Sequence, residues 1–393
     1  LGQGTALVGV LDPFWEQKGY VTAEEFRRFC GPTVPLARLP SRVFTTDDLF
    51  AVDVEIAHYG PAPLEKATPY WKIADSDGKI VAQGEWPKRT IPIGKNIPLG
   101  KIEVELAKFP APRAYRLIVG LRGTQAENDW DFWIYPARVD TTAPRDILIT
   151  RSWEEAETRL AEGGKVLFIP RVADLDWTSP PLDVVPIFWN RQMNPAWSRM
   201  LGLWIDERHP AFARFPTRSY FDWQWADLIR GVRAINLDSL PRELEPVVYA
   251  IDDWNRNYKL GVIFECRVGR GRLLVSAIDL IDRLAERPAA RQLRRSLLDY
   301  MASARFQPRV SVAASAIRGL LFDTRIMSKL GATAHADEGD AARAIDGDPN
   351  TYWFSSRHPY PHELVIRFPS PTAISGVVIM PRQNHREHEG DIR

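Results

Sequence analysis

A chain of 393 residues exceeds the size at which one hydrophobic core keeps growing, so roughly two to four domains are expected. With 51 Lys+Arg against 50 Asp+Glu the net charge is only +1, which excludes a polyanion partner recognised by overall charge. No run approaches the roughly 18 apolar residues needed to cross a bilayer, so no membrane span is expected. The local basic cluster RQLRRS at 291–296 reads as a solvated helix face, and no nucleic-acid partner follows from it.

Residues 1–42 read as the end of a larger unit. TALVGVL is a short apolar strand or turn entry, and the start LGQGTALVGV carries neither an initiator Met nor a basic leader, so the true start of the protein is expected upstream. VTAEEFRRFC predicts a helix with Thr22 as N-cap and Glu25 three residues later, a capping box.

From Val43 the hydrophobic period becomes two. Phe50, Val52, Val54 and Ile56 alternate with polar or small residues, as do Ile102, Val104 and Leu106. DSDGK at 75–79 supplies a hairpin turn, AYRLIVGLRG a further strand, and DWDFWIYP closes the series. Short strands without a helical period over residues 43–142 predict an all-β immunoglobulin-like sandwich.

Residues 143–308 switch to alternating strands and helices. ILIT, then SWEEAETRLAEGG with Ser152 and Glu155 as a capping box and Gly163 as a stop, then KVLFIP make a βαβ unit. A parallel sheet flanked by helices, a flavodoxin-like α/β domain, is expected. GVIFECRV and GRLLVSAID form a hairpin-like pair around Gly269 and Gly271, and an amphipathic helix ends the region. Over 309–393 the chain turns β-like again, with LVIRF and SGVVIM as strands.

Cys30 and Cys266 fall in different predicted domains, which argues against a disulfide framework. Fourteen Trp and 31 Pro signal rigid loops and many flat apolar plates, suited to cores or to sugar faces. YFDWQW at 220–225 and IDDWNRN at 251–257 interleave indoles with polar groups. They either line a sugar cleft, with Trp223, Trp225 and Trp254 stacking and Asp222, Asp252, Asp253 and Asn255 accepting hydroxyls, or form a core edge or inter-domain seam. In AIDGDPNTYW, Asp346, Asp348 and Thr351 around Gly347 and Pro349 offer the hard oxygens that Ca²⁺ takes; a polar turn ahead of a strand reads equally from the same residues. Cys266 sits in an apolar strand pattern without elbow glycines or a downstream His-x-Glu, so a structural thiol is expected.

Three stretches resemble known families. AARAIDGDPNTYW, HELVIRF and ISGVVIMPRQN resemble the first half of a discoidin domain, the coagulation-factor type C jelly roll used as a carbohydrate-binding module. That resemblance implies a structural Ca²⁺ held by Asp346 and Thr351 with carbonyls at Arg343 and Asp348, its set incomplete within residues 309–393. DVVPIFWNRQM, RHPAFARFPTRSYFDWQWADLI and VVYAIDDWNRNYKLGVIFECRVGRGRLLVSAIDL resemble the class I amidotransferase-like domain appended to some large family 2 glycoside hydrolases, here without its nucleophile.

Residues 1–42 resemble the last strand, loop and helix of the catalytic (β/α)₈ barrel of the same enzymes, which implies a catalytic domain upstream of Leu1 and places Asp12 and Trp15 at the substrate rim. An ordinary capping role for Asp12 reads equally well. Together the resemblances imply the C-terminal accessory and carbohydrate-binding part of a secreted or periplasmic, β-galactosidase-like family 2 glycoside hydrolase. It would have no catalytic residue of its own. An amidotransferase-like enzyme using Cys266, or a non-enzymatic adhesion or scaffold protein, are the alternatives.

Overall fold

The computed structural model describes residues 9–176, 178–182, 200–252, 257–321, 327, 330–346, 351–355 and 361–374. The chain divides into two compact units: Leu1–Asp140 with the short segments Arg214–Pro216 and Ala285–Gln292, and the remainder. Each is mostly β-sheet, with few helices.

The first unit begins with α1, Ala23–Phe29, whose capping box forms as its sequence predicts. Thr22 Oγ1 accepts from Glu25 N at 3.1 Å and the Glu25 carboxylate accepts from Thr22 N at 2.8 Å. Ten strands follow: β1 Thr33–Arg38, β2 Val43–Thr45, β3 Leu49–His58, β4 Leu64–Ala67, β5 Pro69–Asp75, β6 Ile80–Glu85, β7 Arg89–Ile91, β8 Gly94–Glu105, β9 Arg113–Leu121 and β10 Glu127–Tyr135. They build a three-stranded sheet β1-β3-β8, a five-stranded sheet β2-β10-β9-β5-β6 and a two-stranded pair β4-β7. β1 pairs antiparallel with β3 in one sheet, and the chain then crosses so that β2 pairs parallel with β10 in the other. This first-strand switch, with two sheets closed over one core, is an immunoglobulin-like sandwich arrangement.

The alternation in β3 reads out directly as burial: Phe50, Val52, Val54 and Ile56 are all at most 1% exposed. The Phe50 and Phe132 rings stack with centroids 4.6 Å apart, and Tyr115 stacks on Phe132 at 5.7 Å. Tyr115, at the start of β9, donates its hydroxyl to Pro110 O at 2.6 Å, the corner contact that ties an incoming loop to a sandwich strand. The DSDGK turn closes β5 onto β6 through Asp75 N to Lys79 O at 2.9 Å, with Gly78 at φ 80°.

The second unit is built on β11 Ile147–Thr150, α2 Trp153–Ala161, β12 Lys165–Phe168, the short β13 Pro181–Leu182, β14 Met200–Ile205, β15 Val232–Arg233, β16 Ile235–Asn236, β17 Val248–Asp252, β18 Leu260–Val268 and β19 Gly271–Ser276. The sheet order is β11-β12-β19-β18-β17-β14, with β16 beside β18. β11, β12 and β19 are mutually parallel, while β19, β18, β17 and β14 run antiparallel to their neighbours. The expected flavodoxin-like parallel sheet is therefore not what forms. A βαβ crossover through α2 accounts for the parallel part, and the tight turn at Gly269, φ 56°, forces β18 and β19 to be antiparallel.

Ser152 caps α2 by accepting from Glu155 N at 3.3 Å, but Glu155 turns away to accept from Thr150 Oγ1 at 2.5 Å, so only half of the expected box closes. After α2, Gly163 N and Gly164 N donate to Leu160 O and Arg159 O, both at 2.9 Å, a Schellman stop made by Gly163 at φ 87°. β18 is buried along almost its whole length, as a central strand covered on both faces must be. From Leu293 on, the helix Pro288–Ala302 buries Leu293, Leu297 and Met301. Past residue 308 the chain continues on the same sheet: Arg267 N donates to Val310 O and Val312 N to Arg267 O, both at 2.8 Å. Farther on, a two-stranded pair joins β20, Thr333–Ala336, to β21, Leu364–Arg367; the expected SGVVIM strand lies outside the described residues.

Candidate functional site

Asp12 Oδ1 accepts from Phe14 N at 2.8 Å and Glu16 N at 2.9 Å, so this carboxylate holds its own turn. Trp15, at φ 67°, is 83% exposed beside it.

The two interleaved segments divide sharply. Trp225 is wholly buried, packs edge-to-face on Phe212 and donates its indole N–H to Thr217 Oγ1 at 2.9 Å, which corrects its expected role as a sugar-stacking residue. Asp222 is buried and its carboxylate accepts from Gln224 N at 3.2 Å. Asp252 is likewise buried and accepts from Tyr258 N at 2.9 Å. These acids accept within their own loops, while Trp223, 61% exposed, and Tyr220, 51% exposed, present rings to solvent. Asp253, Trp254 and Asn255 lie outside the described residues.

A different aromatic group comes together nearby, of which Tyr220 alone lies in the interleaved segments singled out from the sequence. β14 pairs with β17 as Met200↔Asp252, then Gly202↔Ile251, so Leu201 is a bulge. The extra residue shifts the alternation by one, turning Leu203 and Ile205 into the core and Trp204 to the open face. Trp204 lies opposite Tyr249 on β17, and on its other side forms a bridge to Tyr220. Cross-strand partners point to the same face, so Tyr220, Trp204 and Tyr249 form one outward row. Tyr220 and Trp204 are about half exposed, and Arg218 Nη1 donates to the Tyr220 hydroxyl at 2.8 Å. The signal in the sequence is faint, because LGLWID follows no simple period once a bulge interrupts it.

Cys266 is fully buried in β18, opposite Leu273 on β19. Burial, with the neighbouring Glu265 charge added, pushes its thiol up to about 12, the reverse of what a thiolate nucleophile needs. Glu265 accepts from the Tyr300 hydroxyl at 2.7 Å, and burial holds its own carboxyl above the ordinary range.

In the DG loop, Thr351 Oγ1 donates to Asp346 Oδ2 at 2.6 Å, so two of the expected oxygen ligands converge. Arg343 pairs through Nε with Asp340 at 3.1 Å, and Asp348 lies outside the described residues. Among the described residues no group of three or more His, Cys, Asp or Glu side chains is placed to hold a metal. Next to this loop, His362 lies 2.9 Å from Asp337 and 3.7 Å from Glu338.

Two family descriptions match the chain: Domain of unknown function (DUF8488) over residues 48–136, on the sandwich, and Domain of unknown function (DUF8487) over 148–322, on the mixed sheet. No curated protein matches. Among solved structures, the chain is similar to the CARDB domain of a Pyrococcus furiosus protein at 11% identity, covering 26% of this chain and 94% of that one, with a TM-score of 0.21. It is also similar to a Parabacteroides merdae β-glucuronidase, 13% identical over 36% of this chain and 22% of that one, TM-score 0.21. A Paenibacillus cycloisomaltooligosaccharide glucanotransferase, complexed with cycloisomaltoheptaose, matches at 9% identity over 34% and 19% respectively, TM-score 0.22. Weak structural neighbours thus include glycoside hydrolases, and at such TM-scores they carry no weight for function.

Proposed function

We propose that this chain is the carbohydrate-binding accessory region of a β-galactosidase-like family 2 glycoside hydrolase, and that it breaks no sugar bond itself. The carrying observation is the apolar outer surface of residues 9–30. Phe14, Trp15, Tyr20 and Phe29 are each more than half exposed, and α1 buries none of its own residues although its capping box is complete. A well-capped helix and turn that leave four large aromatics in water are suited to packing against a neighbour. In this reading the neighbour is the catalytic barrel, with residues 1–42 as its last strand, loop and helix. The paired acids that glycoside hydrolysis requires belong to that barrel. Cys266, buried and held protonated, leaves the second unit without a nucleophile of the amidotransferase kind.

The proposal includes Ca²⁺ at the DG loop. Asp346 and Thr351 are hard oxygen donors already within hydrogen-bond distance, a set that suits this cation. With the ion bound, the loop ahead of β21 would be tied together by charge in place of that single hydrogen bond.

The test is a chromogenic β-galactoside assay on the purified 393-residue chain, beside glycan binding with and without chelator. No turnover, together with glycan binding, is the expected result. Turnover abolished by replacing one of the chain's own carboxylates would overturn the reading. For the ion, Ca²⁺ should raise the thermal midpoint of the wild type and leave Asp346→Ala unmoved; equal responses would remove Ca²⁺ from the proposal.

A further inference from the structure

We infer that the outward row Tyr220, Trp204 and Tyr249 on the second unit is a binding site for a neutral saccharide chain. The inference rests on the carbohydrate reading above and names both the place and the ligand class. Apolar ring faces and unused hydrogen-bonding edges occur together here. Among the described residues neither the Trp204 indole N–H nor the Tyr249 hydroxyl has a hydrogen-bond partner. A pyranose ring asks for that pairing, because its axial C–H groups form an apolar face while its hydroxyls ring the edge. Among the described residues space is open beside the indole, since a Cβ built on Gly202 would meet nothing within 4 Å. The row steps from strand to strand at about 4.8 Å, close to the length of one unit in an extended, equatorially linked sugar chain.

Size separates a saccharide from a protein partner. A buried aromatic side chain contributes roughly 150–250 Å², so three partly exposed rings offer on the order of 300 Å², far below the roughly 800 Å² per partner of a standard protein interface. A strand added to the edge of β14 is also unsuited, because Ile205 N already donates to Ser219 O at 2.9 Å and Tyr220 bridges Trp204 there. Charge then narrows the class. The outward residues of the paired strands, Gly202, Trp204, Tyr249 and Ile251, are uncharged. Asp252, Asp238 and Glu245, the last 3.6 Å from Lys259, lie on the Tyr249 side, and the Arg218 cation at the other end is engaged by the Tyr220 hydroxyl, which suits a neutral chain better than a uronate. Arg218, bonded to the Tyr220 hydroxyl with its guanidinium 5.9 Å from the ring centroid, acts as a positioning residue for that ring.

Affinity electrophoresis of the full 393-residue chain tests this, with galactan, xyloglucan and mixed-linkage β-glucan as neutral probes and polygalacturonate as the charged control. Wild type should be retarded by at least one neutral probe and not by polygalacturonate. Trp204→Ala and Tyr249→Ala should each weaken retardation roughly tenfold, Tyr249→Phe by less, and Tyr59→Ala, an exposed ring on the first unit, not at all. Thermal midpoints equal to wild type would show that the variants fold. Undiminished retardation of Trp204→Ala and Tyr249→Ala would overturn this site and leave the carbohydrate reading standing. Retardation of wild type by polygalacturonate alone would overturn the ligand class. Failure of wild type to bind any probe would bring down the site and the carbohydrate-binding reading together.

Discussion

The sandwich and the β14–β17 corner of the mixed sheet use aromatic residues in opposite directions. In the first unit Phe50, Phe132 and Tyr115 stack inside a sealed core, each at most 2% exposed. In the second, Trp204 and Tyr220 stand about half exposed on the open face of a strand pair whose inward residues, Leu203 and Ala250, are buried. Residue type therefore separates neither role; position relative to the pleat does. An aromatic ring in the core contributes stability, and the same ring turned outward by one bulge costs little to keep and is free to meet a ligand.

Substitutions can break this contrast, and the largest effect belongs to the core. Phe50→Ala should destabilise the sandwich by about 3–5 kcal/mol in denaturant unfolding, whereas Trp204→Ala should stay within about 0.5 kcal/mol of wild type. A large loss from Trp204→Ala would mean that its ring is structural. Next comes the seam between α2 and β19. A Cβ on Gly271 would sit 2.6 Å from the Leu160 Cα, a backbone atom that cannot swing aside. Gly271→Ala should therefore cost about 1–3 kcal/mol, seen as a lower unfolding midpoint of the second unit.

The helix caps are a smaller matter. Ser152→Ala should lower stability by about 1 kcal/mol, and Glu155→Ala should act through the lost Thr150 contact, so the double variant Thr150→Val/Glu155→Ala should fall below Glu155→Ala alone only by what Ser152 N loses with its Thr150 Oγ1 acceptor at 3.0 Å.

The gentlest effect is one of pH. Burial raises the Glu265 carboxyl in the folded state above its ordinary value of 4.5, so folding binds its proton more tightly than the unfolded chain does. The stability it contributes is full below about pH 4.5 and is lost as pH rises through the raised folded value. Glu265→Gln keeps an acceptor for the Tyr300 hydroxyl without the charge, and should gain on wild type as pH climbs from 4.5 towards neutrality. Thermal midpoints across a pH series check this; a difference that does not vary with pH would mean that the carboxyl does not titrate in that window.

The regions also differ in how far they could be read in advance. The sandwich was legible because its signals are local: alternation at Phe50–Ile56, the turn at 75–79 and the runs 113–121 and 127–135 each need only a few neighbours to be interpreted. α1 and its capping box were legible for the same reason. The mixed sheet was half legible. Its βαβ start and its hairpin at Gly269 are both local, but the pairings β12–β19 and β14–β17 join strands far apart in sequence, and the flavodoxin-like expectation failed where β18, β17 and β14 extend the sheet antiparallel.

Of the candidate site, the residue types were visible and their fates were not. Trp223 and Trp225 are two positions apart in one short segment, yet one is 61% exposed and the other wholly buried. By itself the amino-acid order determined where helices start and stop, which strands alternate, and that Cys266 belongs to an apolar strand. Only tertiary structure decided that Trp204 faces outward between Tyr220 and Tyr249 while Trp225 closes on Phe212, because a bulge and a cross-strand partner are properties of two segments at once, and neither segment encodes them alone.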